Sequence, residues 1–325
     1  MVIEYILIIE EVIMIIDVHC HLRWENQPSK EWLEAQVKMG QSVSGSSPES
    51  VRERLRENFD TTGDLIIKDM DEAGVGISVL AVIDYSLLAG CGEVMSLEKT
   101  HKIYAEAASR HPDRLICFAG VDPRREGAVK FLVRTVNEWN MKGLKLMPAV
   151  GFYPNDRKCY QIYQKAEELG IPILVHTGFD SIPYYGAYSQ PKYLDEVAND
   201  FPDLKIIMAH AGGAFWPEAA SIAGFKTNVY LDLAMWQMRL LRHPVEEFYR
   251  PLRSMIDTAG RSRILLGSDW PGMRLVRRLP HAAWIRAIKE PPEEVKAAGI
   301  EFTEQEINGI LGDNAAKVLG LEERI

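Results

Sequence analysis

Five side chains in this 325-residue sequence have the types and the spacing to hold a divalent metal ion and to use it. His19 and His21 flank Cys20 at the close of one aliphatic run, and His176, His210 and Asp269 each close another. In an extended chain residues two apart project to the same side, so both imidazoles of the pair can point one way while Cys20 faces the other. Neutral imidazoles converging with one carboxylate suit Zn2+ or a similar ion, with a position left open for water. Such an ion lowers the pKa of bound water to about 7 and makes a nucleophile at neutral pH. Asp269 can then hydrogen-bond that water and accept its proton as general base. A lone histidine is more often a hydrogen-bonded core residue, but here four of the eight histidines close aliphatic runs. The others, His101, His111, His243 and His281, fall in helical or connecting stretches.

The elements that must position these groups are short aliphatic or β-branched runs, each followed by a polar turn and an amphipathic stretch, the pattern of parallel strands joined by crossover helices. Eight runs fit, at 13–19, 77–83, 114–121, 142–147, 171–176, 205–210, 228–233 and 263–269. Most are nearly continuous hydrophobic runs, as strands covered on both faces should be. Eight strands with intervening helices predict an α/β fold, a (β/α)8 TIM barrel, spanning residues 14–325 as a single domain. That fold places catalytic groups at the C-terminal ends of its strands, where the five side chains fall. Residues 24–60 interrupt the repeat after the first strand and read as a long loop beside a short helix, with a flexible composition at 41–48. This insertion either covers the mouth as a lid or packs on the outside. A second interruption at 275–312 carries extra helix before a closing helix at 314–319.

Composition narrows the function classes. With 47% hydrophobic and 26% charged residues a large core is available and disorder is not expected. A formal net charge of −9 and the lack of a basic stripe argue against nucleic-acid binding. Cys20, Cys91, Cys117 and Cys159 are scattered, with no CxxC pair, and read as reduced thiols of a cytoplasmic protein. The apolar N-terminus contains Glu4, Glu10 and Glu11, lacks the basic start and cleavage site of a signal peptide, and is too short and acidic to span a membrane. Residues 1–13 read as a non-native or poorly ordered extension, with Met14 as the natural start.

The His19-x-His21 pair within IIDVHCHL, the HTG of His176, the AHAGG of His210 and the GSDWP of Asp269 resemble the signature set of the amidohydrolase superfamily. More narrowly they are similar to the amidohydrolase-related group that includes aminocarboxymuconate semialdehyde decarboxylases. MDEAGV before the second strand and GDNAAKVLGL at the end extend the resemblance over almost the whole chain from Met14. The resemblance implies a divalent metal, usually zinc with manganese as an alternative, at His19, His21, His176 and Asp269, with His210 near the bound water or substrate. Lys145 departs from the decarboxylase pattern. It stands where binuclear superfamily members carry a carboxylated lysine bridging two metals; it could equally remain an ammonium that neutralises a substrate carboxylate or pairs with a neighbouring acid. Trp270 and Pro271, and Phe179, Tyr184, Tyr185 and Tyr188 after the fifth strand, are candidate pocket walls. Asp232 could bond backbone or touch substrate, Arg274 could offer a cation, and Gly212-Gly213 permits a tight turn.

The function expected first is hydrolysis of an amide, ester or lactone of a small carboxylated molecule, with metal-activated water as nucleophile, Asp269 as base and His210 stabilising the developing charge. Non-oxidative decarboxylation or hydration by the same residues is the alternative, and a non-catalytic ligand-binding barrel a third. The partner is a small-molecule substrate, with no nucleic acid and no membrane. The group it resembles often forms homodimers, but the sequence shows no self-complementary surface. Intact-mass analysis of the natural protein is expected to show a chain beginning at Met14; one beginning at Met1 or Val2 contradicts that reading.

Overall fold

The eight aliphatic runs become eight parallel strands, β1 Ile15–Cys20, β2 Val75–Ala81, β3 Leu115–Gly120, β4 Leu144–Leu146, β5 Ile173–Val175, β6 Ile206–Met208, β7 Val229–Asp232 and β8 Ile264–Leu265. This computed structural model describes residues 13–324 apart from 26, 28, 91–94, 273 and 275–279. Each strand pairs with the next in sequence order. The ring closes through Val18 N–H donating to the Leu266 carbonyl at 3.0 Å, Asp269 N–H to the His19 carbonyl at 2.8 Å, and a parallel bridge between Cys20 and Trp270. The architecture is the expected (β/α)8 barrel. Residues 1–12, which carry most of the proposed N-terminal extension, lie outside the described residues, as does Cys91. The other three cysteines are free and buried. Among the described residues no helix is long and apolar enough to cross a membrane.

Strand residues alternate between two cores, as period-two geometry requires. Ile16, Val18, Ile77, Val79, Leu174 and Ile207 fill the barrel interior, while Leu80, Cys117, Leu144, Val175 and Met208 face the surrounding helices. The helix Asn314–Leu319 lends Ala315, Ala316 and Val318 to the inner core. Lys205, just before β6, ties that helix down by donating to the Lys317 and Val318 carbonyls at 2.9 and 3.1 Å.

The insertion after β1 differs from its sequence reading, being mostly helix. α1 (Lys30–Ser44) begins at Ser29, whose hydroxyl accepts from Trp32 N–H, and ends at Gly45 in the left-handed conformation. α2 (Pro48–Arg56) begins at once, capped by Ser47 with Pro48 in its first turn. The Ser/Gly composition that suggested flexibility supplies caps. α3 (Asp64–Ala73) then leads into β2.

Outside the barrel, α4 (Leu97–Arg110) packs on β3 through His101. His101 Nδ1–H donates to the Leu97 carbonyl at 2.7 Å, so its Nε2 accepts from Gly120 N–H at 3.0 Å. Gly120 has no room for a side chain, since a Cβ there would lie 2.1 Å from the Val82 carbonyl oxygen. Burial pushes the His101 pKa down to about 4, against partial support for the charged form from the Leu97 bond and Asp84. The unfolded chain therefore binds a proton that the folded chain refuses between about 6.5 and about 4. Stability from this residue is full above that window and is lost as pH falls through it, by roughly 3 kcal/mol. Urea unfolding of a His101→Gln variant, which can keep both hydrogen bonds, is expected to show an acid-limb loss smaller by about that amount; equal slopes for the two proteins would contradict the assignment.

Candidate metal centre

His19 reaches the barrel mouth because β1 contains one extra residue. Against β2 the register runs from Asp17 opposite Ser78 to Cys20 opposite Leu80, three steps on β1 for two on β2. Asp17 and Cys20 both turn outward, Asp17 to His281 at 3.0 Å and Cys20 to Ser268, so Val18 and His19 both face inward between them. A β-bulge re-aims a side chain in this way. The expected geometry of His19 and His21 inward with Cys20 outward holds, and the bulge is its cause.

The two imidazoles are locked in one tautomer. His19 Nδ1 meets the buried Asp232 carboxylate at 2.9 Å and His21 Nδ1 meets the Ala81 carbonyl at 2.7 Å, so each carries its proton there and turns an Nε2 lone pair to the mouth. The two Nε2 atoms lie 3.1 Å apart, and Asp269 Oδ1 stands 3.3 Å from that of His21 and 3.8 Å from that of His19. Burial lowers the pKa of both imidazoles and keeps them neutral. Burial also opposes ionisation of Asp269, yet its setting beside the imidazoles holds the carboxyl below the usual carboxylate range. Three acceptors thus converge, and a divalent ion among them would satisfy all three.

His210 lies two residues past β6 in a left-handed turn, φ 58°, that continues through Ala211, Gly212 and Gly213. Its N–H donates to Asp232 Oδ1 at 3.0 Å, and its carbonyl accepts from Trp236 Nε1 at 2.7 Å. His210 Nδ1–H donates to the Ala234 carbonyl at 3.1 Å, so its Nε2 accepts from His176 Nδ1–H at 3.1 Å. The buried Nε2 of His176 then carries a lone pair with no hydrogen-bond partner, as a metal ligand requires. His176 nevertheless stands outside the tight group of His19, His21 and Asp269, whose donor atoms all lie within 4.8 Å of one another. A second grouping of His19, His210 and Asp232 is the hydrogen-bond network just described. Asp232 therefore orients the ring of His19 and the backbone of His210 rather than facing substrate.

Lys145, on the inward face of β4, is buried, with Nζ 3.1 Å from His19 Nε2. Burial lowers its pKa to about 8, against the pull of Asp232, Asp269 and Asp180. Over these groups lies a cavity of about 430 Å³. α1 and α2 roof it with Trp32, Gln36, Met39, Val51 and Leu55, so the insertion is a lid. Trp32 Nε1–H donates to the Tyr184 hydroxyl at 2.6 Å, joining the roof to the loop after β5.

Four of the candidate pocket residues do not line this cavity. Trp270 follows the outward pairing of its bridge partner Cys20 and donates from Nε1 to Asp69 at 2.7 Å, and Tyr188 stacks on Tyr153 with centroids 4.6 Å apart. Tyr185 and Pro271 are likewise absent from its walls, and Arg274 is held by Asp69 at 2.7 Å. Phe179 and Tyr184 do line it. Residues missed from sequence are Asp180, Tyr85 and Arg23; only Arg23 had a legible signal, two positions beyond His21.

Residues 87–321 match the amidohydrolase family. The chain is 24% identical over 291 residues to a 2-keto-4-carboxy-3-hexenedioate hydratase of Sphingobium sp., covering 80% of this chain and 84% of the relative. It is 23% identical to a 2-amino-3-carboxymuconate-6-semialdehyde decarboxylase of Dictyostelium discoideum, covering 94% and 92%. A dihydroxybenzoic acid decarboxylase of Polaromonas sp. JS666, solved with bound manganese and 2-nitroresorcinol, superposes with TM-score 0.64 at 18% identity, over 95% of this chain and 97% of the other.

Asp232→Asn tests the tautomer lock. An amide at this position can donate to His19 Nδ1, moving the ring proton to Nε2 and removing a ligand lone pair. Chelator competition is expected to show Mn2+ or Zn2+ affinity reduced about 10- to 100-fold with the fold retained by circular dichroism. Unchanged affinity would refute the lock.

Proposed function

Because the chain belongs to the amidohydrolase family, we propose that it is a divalent-metal-dependent lyase that removes CO2 non-oxidatively from a small unsaturated or aromatic carboxylic acid. This reverses the order of the sequence reading, which placed hydrolysis first. The carrying observation is the buried Lys145 ammonium, 3.1 Å from His19 Nε2 in a cavity whose walls also include apolar groups such as Met147, Met235 and Leu55. The curated relatives are named a hydratase and a decarboxylase, and the solved decarboxylase contains manganese, which supports a divalent metal such as manganese.

His19, His21 and Asp269, with His176 beside them, would hold a divalent ion, which when bound would supply Lewis acidity towards a substrate oxygen. The residues of the chain do the rest. The lid excludes water, and a carboxylate set against the methionine wall loses its hydration, which favours departure as neutral CO2. The C–C bond breaks with its electron pair left on carbon. Lys145 Nζ, protonated at neutral pH, stabilises that charge and delivers the replacing proton, then regains one from solvent. Asp269 stays ionised and His210 keeps His176 in the ligating tautomer.

A second reading is favoured by the 3.1 Å approach of His176 Nδ1 to His210 Nε2. Were His176 to carry its proton on Nε2, 3.7 Å from Asp180, these two nitrogens could share a second ion with a carboxylated Lys145, and hydrolysis would follow. Elemental analysis of protein purified without chelators decides between them. The lyase reading expects about one zinc or manganese per chain, unchanged in Lys145→Ala, with CO2 release reduced about 10²- to 10⁴-fold in that variant and metal lost in His19→Ala. Two ions per chain, falling in Lys145→Ala, would establish the binuclear hydrolase instead.

A further inference from the structure

The cavity holds a second cation that nothing above uses. Arg23 continues the alternation of His19 and His21, and its backbone is pinned where its carbonyl accepts from Asp60 N–H at 2.8 Å in a short antiparallel bridge. Its guanidinium lies 5.0 Å from the centre of the Trp32 ring in the lid. Its Nε is buried with no hydrogen-bond partner, and among the described residues no carboxylate pairs with it. Other partly buried arginines are paired: Arg124 with Asp122, Arg253 with Glu306 and Arg274 with Asp69, each at 2.7 Å. The surroundings of Arg23 are aromatic, and its charge favours ionisation of Tyr85, Tyr104 and Tyr184 against the larger opposing effect of their burial.

A guanidinium whose Nε is buried without a partner, set over an indole and left without an anion, is costly unless a ligand completes it. The planar guanidinium fork suits two parallel hydrogen bonds to a carboxylate. Lys145 and the metal ligands already provide for one acid group elsewhere in the same cavity. We propose that Arg23, oriented by Trp32, binds a second carboxylate of the substrate, remote from the one that is lost, and that the enzyme acts on dicarboxylic acids in preference to monocarboxylic ones. The proposal rests on the reading of the cavity as a site for a small carboxylic acid. It also gives the lid a role in specificity: Trp32 belongs to α1, so the anion site is complete only with the roof in place.

Binding without turnover tests it. Manganese-loaded protein is titrated with benzoate and with phthalate, isophthalate and terephthalate, which place a second carboxylate at three separations. At least one diacid is expected to bind about 10- to 100-fold more tightly than benzoate. Arg23→Met should bring that diacid to within about threefold of benzoate while benzoate affinity, manganese content and melting temperature stay unchanged. Arg23→Lys, which keeps the charge but loses the planar fork, should fall between. The proposal is overturned if the wild type prefers none of the diacids, or if Arg23→Met weakens benzoate as much as the diacid or leaves the preference intact. CO2 release is measured separately, so a diacid preference without decarboxylation would refute the lyase reading and leave this site standing.

Discussion

The centre depends on one pairing, that of the buried Asp232 carboxylate with His19 Nδ1, and on the extra residue in β1 that makes it possible. Without the bulge, strict alternation would send His19 outward with Asp17, away from Lys145, His21 and Asp269. With it, the His19 side chain supplies an Nε2 lone pair and its carbonyl accepts the Asp269 backbone N–H. Three converging acceptors are thus placed by one short stretch of chain.

The mouth is also where backbone strain gathers. Five non-glycine residues among those described have positive φ, and four of them, His210, Ala211, Met235 and Asp269, stand at or beside the site. Each costs about 1 kcal/mol and persists only when surrounding bonds overdetermine it. Here they do: Asp232 and Trp236 hold His210, while the His19 carbonyl and Gly272 N–H hold Asp269. The strain turns His210 and Asp269 into the cavity just past strands that would otherwise carry the chain out of the barrel.

The lid changes the chemistry available beneath it. Two capped helices bring an apolar roof over Lys145 and the imidazoles, and the resulting desolvation lowers the lysine pKa and keeps the histidines neutral. An open rim would leave the same groups hydrated, with the lysine a more ordinary ammonium. The Trp32–Tyr184 hydrogen bond joins roof to rim, so the polarity of the cavity and the position of its aromatic wall are set together.

The sequence by itself determined the barrel, because eight hydrophobic runs separated by amphipathic stretches leave few ways to cover every strand. It also determined which rim residues could carry chemistry, since His19, His21, Lys145, His176, His210 and Asp269 all line one cavity. Composition misled at the insertion, where serines and glycine cap helices instead of loosening a loop. Proximity in sequence misled at Trp270, which follows Asp269 yet turns outward because its backbone pairs with Cys20. The bulge, the tautomer of each imidazole, the role of Asp232 and the isolation of Arg23 were decided only in the tertiary structure. Each depends on which atoms from distant strands come within hydrogen-bond reach, and residue type and spacing along one strand do not encode that.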